Sequence, residues 1–314
     1  MVAYGLRFCS RASLAFPSYS DRLELCQIDQ LWRGKEVKHR FRAGPLVTNI
    51  LKYSILVGAS FIALFPLYWI IMTSLKLPAD SLSMPPRWIF EPTLRNFRII
   101  FLEDPYPRFL LNSLIIVTSS VLLVVLIGSL AGYVLARFRI PHKESFFFFI
   151  LTTRMGPPVA FAVPFYIIMA GLRLIDSYLA MVLIYILYNL AFVIWMTRGF
   201  FQEVPLDVEE AATLDGCSRL ETFLRIALPL ATPGIIATAV FCFIVTWNEF
   251  FYAMVLTSDA AKTFTVHMPS FVGAPRMRWS EMSAASVVAI IPAIAFAIAV
   301  RKYLVRAFTL GTVR

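Results

Sequence analysis

Few side chains in this 314-residue sequence are placed to do chemistry, and their spacing limits what that chemistry is. Nucleophilic or acid–base catalysis needs a base, a nucleophile and an orienting group within reach of one another. The three histidines, His39, His142 and His267, are scattered and lie outside the apolar stretches. The four cysteines, Cys9, Cys26, Cys217 and Cys242, form no C-x-x-C pair. They read as isolated thiols, so neither a zinc site nor an oxidising compartment is indicated. No G-x-x-x-x-G-K phosphate loop is present, so the chain has no cradle of its own for ATP. No catalytic residue, metal ligand or cofactor site is expected. The polar groups of interest are the acids of one short stretch, Asp207, Glu209, Glu210 and Asp215, and a few polar side chains inside or beside apolar runs, chiefly Arg154, Asn248 and Glu249.

Those runs dominate the chain. Hydrophobic residues make up 59% of it and charged residues only 15%, against about 25% charged in ordinary soluble domains. Mean hydropathy is +0.73. This excludes a disordered chain, a collagen-like fibre and a typical water-soluble enzyme. The net charge is +10. In a soluble protein it would suggest nucleic acid. In so apolar a chain it is the charge of cytoplasmic loops facing a membrane, and no nucleic-acid partner is expected.

A bilayer core about 30 Å thick needs roughly 20 apolar residues in a helix. Six runs qualify: 53–75, 109–136, 145–171, 177–197, 226–248 and 282–300. The third is interrupted by Arg154. Six spans put both termini on one side. With the termini inside, the inner segments carry 18 Lys and Arg against 9 in the outer loops, which predicts cytoplasmic termini. The basic tail 1–45 supplies most of the excess, since 10 against 9 remain without it. That tail is polar and aperiodic and lacks the apolar region of a signal peptide. The domain reading is thus a tail over 1–45 and a six-helix transmembrane domain over 46–314. Pro66, Pro157, Pro158, Pro164, Pro233 and Pro292 fall within or near spans. Such breaks are tolerated where neighbours satisfy the backbone or where the break lines a wet cavity. Gly128 and Gly132 form a G-x-x-x-G step suited to close helix packing.

The inner loop 202–229 has the clearest local grammar. Pro205 suits a first helical position, and Asp207, Glu209 and Glu210 sit where acids favour the positive end of a helix dipole. Gly216 suits a left-handed terminator. Ser218 followed by Glu221 is a capping box that opens a second helix. Leu220, Phe223, Leu224 and Ile226 give it an apolar face. Two short helices joined by a turn are predicted, held as a knob between spans four and five.

The spacing here resembles the EAA loop of ABC-importer permeases. Glu210-Ala211-Ala212, three residues, Gly216, nine residues, Ile226, one residue and Leu228-Pro229 fill every position of that pattern. Trp247-Asn248-Glu249-Phe250 and the stretch 301–313 are similar to the carbohydrate-uptake, MalG-like branch. The segment from Thr152 through Arg154, Pro157 and Pro158 to Pro164 is closer to polyol and plant-sugar members. The likeness covers about 46–314. It implies an all-α, MetI-like bundle with a cytoplasmic coupling loop, in the inner membrane. It implies a second homologous permease, an ATPase dimer that binds the ATP, and a periplasmic or extracellular solute-binding protein. By position, Glu210, Ala211, Ala212, Asp215, Gly216, Ile226, Leu228 and Pro229 form the coupling contact, with Glu210 the acidic partner and Gly216 the turn.

At membrane depth, Arg154 beside Pro157 and Pro158 is either a pathway or gate residue or a structural cation serving the broken helix. Asn248 and Glu249 could hydrogen-bond a hydroxylated ligand, or they could hold a subunit interface; Trp247 could stack on a sugar face, or serve as a packing, lipid-facing or interfacial-belt residue. A secondary, ion-coupled transporter would need acidic relay residues inside the spans, and an intramembrane enzyme a catalytic cluster at depth. Neither pattern is present. A permease for a non-sugar solute stays open.

Overall fold

The computed structural model describes residues 45–273 and 277–310, with side chains over 49–273 and 277–301. The basic tail over 1–44, Cys9, Cys26 and His39, and most side chains of the 301–313 stretch lie outside the described residues. The helices, in order, are α1 (Pro45–Ser74), α2 (Pro78–Ser81), α3 (Arg95–Leu102), α4 (Tyr106–Arg137), α5 (Lys143–Met155) and α6 (Pro158–Gly171), then α7 (Tyr178–Glu203), α8 (Leu206–Leu214), α9 (Arg219–Thr222), α10 (Leu228–Trp247), α11 (Phe251–Leu256), α12 (Phe264–His267) and α13 (Trp279–Leu310). No strand occurs among the described residues. Five helices are long and apolar enough to cross a bilayer, and the bent pair α5–α6 makes a sixth crossing if counted as one span.

The chain divides into two units, up to Leu64 and from Phe65 onward. In the first unit the described part is the amino-terminal stretch of α1, whose large apolar side chains, such as Tyr53, Val57 and Ile62, are exposed. The remaining description concerns the second unit.

Its centre is the pair α4 and α7. They approach at Gly128 and Gly132, because a side chain there would collide with α7: a Cβ on Gly132 would lie 2.9 Å from the Arg198 backbone nitrogen and closer still to Thr197. The G-x-x-x-G step thus marks a real contact. Helix α10 packs on both, and α13 packs on α10. Val117, Val121 and Val124 of α4, Val193 of α7, Phe243 and Trp247 of α10, and Ala284, Ala285 and Val288 of α13 form one buried cluster. Small residues on α13 let it come close without losing apolar contact.

The third apolar run is broken at its Pro157-Pro158 pair. Helices α5 and α6 meet at 93° across Gly156 and Pro157. Pro157 and Pro158 have no N–H to donate to the carbonyls one turn back, and a proline disfavours the helical conformation of the residue before it. Two prolines in succession therefore end α5, and Pro158 opens α6 at a position where its missing donor costs nothing.

At the end of the bundle opposite the 202–218 segment, side-chain amides and carboxylates tie the connecting loops down. Asn96 donates to the carbonyls of Ser74 at 2.7 Å and Lys76 at 2.8 Å. Asn112 donates to those of Ala260 and Lys262. His267, placed by sequence outside the spans, is buried and meets Asp104 at 2.7 Å. Asp176 accepts four backbone N–H groups, from Ser258, Asp259, Ala260 and Ala261, at 2.9–3.0 Å. Partial burial pushes its carboxyl pKa up, but those four donors outweigh it and hold the pKa below the ordinary carboxylate value. A depressed folded-state pKa adds stability above the unfolded pKa, and that stability is lost as pH falls through the folded value. Asp176→Asn should therefore lower the thermal midpoint at neutral pH and narrow its gap to the wild type on acidification, as a pH series of melting curves would read. A gap independent of pH would contradict this role.

Candidate functional site

The 202–229 loop is a knob at one end of the bundle. Helix α8 begins at Leu206 after Pro205, which sits one position earlier than predicted, as the cap. It ends at Leu214 with Asp215 as its cap, and the chain turns away at Gly216, whose φ of +89° is a left-handed conformation that only glycine adopts without strain. The capping box is present: Ser218 Oγ accepts from the Glu221 N–H, and the Glu221 carboxylate accepts from the Ser218 N–H at 2.9 Å. The second short helix is not separate, however. From Arg219 the chain runs helically to Trp247 through a π-turn at Phe223–Ala227, where the Leu228 N–H reaches the Phe223 carbonyl. The widened turn accommodates Pro229, which an unbroken α-helix would force against the carbonyl four residues back. The knob is thus α8 plus the first turns of span five, and any push on it acts directly on that span.

What holds α8 is a buried polar latch that the sequence reading did not separate from its neighbours. Glu209 and Arg137 pair through Arg137 Nη2 and Nε at 2.7 and 2.8 Å, with side chains 9% and 10% exposed. Tyr133 donates to the other carboxylate oxygen at 2.9 Å, and Arg137 also donates to the Val204 carbonyl at 2.7 Å. Beneath the latch, Tyr133, Phe201, Val204, Phe223, Ala227 and Ile235 form an apolar cluster. Glu209 therefore faces inward, and Glu210 faces out. Of the two alanines, Ala212 is buried and Ala211 exposed. Asp215, Gly216 and Pro229 are exposed, while Ile226 and Leu228 are half-buried. The outward surface also presents Leu206, Val208 and Leu214, the last 89% exposed. The inner face is locked, and the outer face, apolar side chains set among the exposed acids Asp207, Glu210 and Asp215, is uncovered.

A second feature lies beside the bend. A cavity of about 640 Å3 is lined by parts of α4, α5, α6 and α7 together with Tyr252, and Arg154 and Gly156 are on its wall. Arg154 Nη1 donates to the Tyr188 carbonyl at 2.5 Å, and the guanidinium carbon lies 3.7 Å from the centre of the Tyr188 ring. A cation at the carboxyl end of α5 also suits the helix dipole. Pro157 and Pro158 form the bend.

The other polar residues singled out by sequence sit elsewhere. Trp247 is buried in the core, against Phe243 and Phe264. Glu249 accepts from Tyr185 Oη at 2.9 Å and from the backbone N–H groups of Tyr252 and Ala253, so it caps α11. Asn248 is exposed and donates to the Ile244 carbonyl within its own helix. Its neighbours Trp247 and Glu249 are thus engaged inside the fold, and neither lines the cavity beside the bend.

Comparison with known proteins places this geometry. Residues 104–310 match the family described as binding-protein-dependent transport system inner membrane component. A probable ABC transporter permease of Sinorhizobium fredii is 37% identical over 255 residues, covering 81% of this chain and 92% of that protein. The trehalose/maltose transport system permease protein of Thermococcus litoralis is 32% identical over 268 residues, covering 83% of this chain and 96% of that protein. In fold, the chain overlays a bacterial ABC transporter involved in alginate import with a TM-score of 0.71 at 22% identity, covering 84% of this chain and 99% of that one. This chain belongs to the family of inner-membrane components of binding-protein-dependent transport systems.

Proposed function

We propose that the chain is a permease subunit of an ATP-driven importer for a sugar or polyol, and that the knob is its contact with a separate ATPase. One observation carries the coupling role: α8 is fixed to span two by the Glu209–Arg137 pair while its outer face, with Leu206, Val208, Glu210, Ala211 and Leu214, is left uncovered. A partner seated there moves spans two and five as one piece, which is how rigid-body closure of an ATPase becomes reorientation of a bundle. Asp215 and Gly216 shape the end of α8, and Ile226, Leu228 and Pro229 carry the motion into span five.

The solute class is supported by the trehalose/maltose permease among the relatives. ATP is bound by the partner, this subunit has no enzymatic role, and the basic tail places both termini in the cytoplasm. A second permease completes the pathway, and a binding protein delivers solute from outside. Arg154, Pro157 and Pro158 line or shape this half of the pathway, and Asn248 is a further polar group open to solute.

Vesicles carrying the assembled transporter test the coupling. Glu210→Lys and Gly216→Pro should each abolish solute-stimulated ATP hydrolysis, and Glu203→Lys, outside the motif, should not. Unchanged stimulation in both motif variants would remove the coupling role from this loop.

A further inference from the structure

The cavity beside the bend has walls of one kind and a charge of another. Phe146, Phe149, Phe161, Phe165, Tyr188 and Tyr252 supply aromatic surface, aliphatic side chains fill most of the rest, and among the described residues no Asp or Glu lines it. Among the described residues, the one cation on the wall is Arg154. Its hydrogen bond to the Tyr188 carbonyl uses one of five N–H donors, and stacking on the Tyr188 ring fixes the plane of the guanidinium. Neither contact supplies a negative charge, and the carbonyls ending α5 offset only part of the positive one. A fixed, unbalanced guanidinium in an apolar cavity is suited to an oxyanion, which it can hold through two parallel N–H bonds. The volume lies within the range of small-molecule sites, roughly 300–1,000 Å3.

We propose that this cavity is a subsite for an acidic saccharide, with a carboxylate, sulfonate or phosphate of the solute on Arg154 and its apolar ring faces against the aromatic walls. The proposal rests on the import reading above and names the solute class for that pathway. A neutral sugar would leave the guanidinium without a counter-charge, so discrimination in favour of the acid follows from the same contacts.

The test uses the complete transporter in nanodiscs of phosphatidylcholine only and two probes that differ at one group, 4-nitrophenyl β-D-glucuronide and 4-nitrophenyl β-D-glucoside. Binding is measured directly by calorimetry. The wild type should hold the glucuronide roughly tenfold more tightly or better, the scale of one charge-assisted hydrogen bond. Arg154→Gln should bring the glucuronide down to the glucoside affinity, and Arg154→Lys should keep part of the preference. Equal affinities in the wild type, binding of neither probe, or a preference that survives Arg154→Gln would overturn the proposal. The wild-type comparison stands alone if Arg154→Gln fails to fold. Anionic lipid shares the oxyanion chemistry, so phosphatidylglycerol is added in a separate arm. Occupancy of the cavity by that lipid, with no displacement by the glucuronide, would also overturn the proposal. Basal ATP hydrolysis and ATPase retention in the same preparations, compared between the wild type and Glu210→Lys, report on the import reading separately, because both are read with no probe present.

Discussion

Arg137→Ala should destabilise the protein by about 3–5 kcal/mol, the cost of stranding one partner of a buried ion pair. Three bonds go at once: both contacts to the Glu209 carboxylate and the donation to the Val204 carbonyl. Glu209 keeps only Tyr133, a neutral donor, in a site where its side chain is 9% exposed. The expected signs are a lower thermal midpoint in detergent and rapid proteolysis within 202–218, where α8 is no longer held to span two. Solute-stimulated ATP hydrolysis should fall with it, since a loose knob transmits no push. The double substitution Arg137→Met with Glu209→Leu separates the two effects. Replacing a buried pair by apolar groups of similar size is often neutral for stability, so the midpoint should recover. An Arg137→Ala protein with an unchanged midpoint would mean that the latch does not hold the knob.

Gly132→Val should separate helices α4 and α7. The new Cβ would meet the Arg198 backbone nitrogen at 2.9 Å and collide with Thr197, and backbone cannot move aside as a flexible side chain can. Overpacking of this kind costs about 1–3 kcal/mol, and more where backbone is involved. Thr197 donates to the Gly128 carbonyl at 3.1 Å across the same contact, so parting the helices also strains a buried interhelical bond. Gly199→Ala on α7 is the matched control, because nothing lies within 4 Å of the added methyl. It should be neutral or slightly stabilising, since alanine is the better helix former by about 1 kcal/mol. Similar losses of thermal stability in the two variants would contradict the close approach at Gly132.

The contrast between these residues shows what local sequence carries. The spans, the capping box of Ser218 and Glu221, the left-handed Gly216 and the break at Pro157-Pro158 were all legible, because each depends on neighbours within a few positions. The latch was not. Asp207, Glu209 and Glu210 read alike at the start of a helix, and only the distant Tyr133 and Arg137 make Glu209 the inward one. A usable signal existed: an Arg ending one span and acids opening the loop helix belong to the same face of the membrane. The continuity of α9 into span five was hidden for a different reason. The turn residues and capping box of 216–221 read as opening a separate short helix, and the π-turn that carries the helix past Pro229 leaves no local mark. Trp247 and Glu249 left a ligand role and a structural role open by type, and the structure engages Trp247 in core packing and Glu249 in capping α11. His267 looked idle, yet it is buried against Asp104, a pairing 163 positions apart that no local pattern announces.

The most direct test of the central claim is co-purification. The tagged chain is expressed with its neighbouring genes, extracted in mild detergent, and its partners identified by mass spectrometry, for the wild type and for Glu210→Lys. The account predicts an ATPase and a second permease with the wild type, and loss of the ATPase alone with Glu210→Lys. A stable wild-type complex without an ATPase, or one whose ATPase stays bound in the variant, would contradict it.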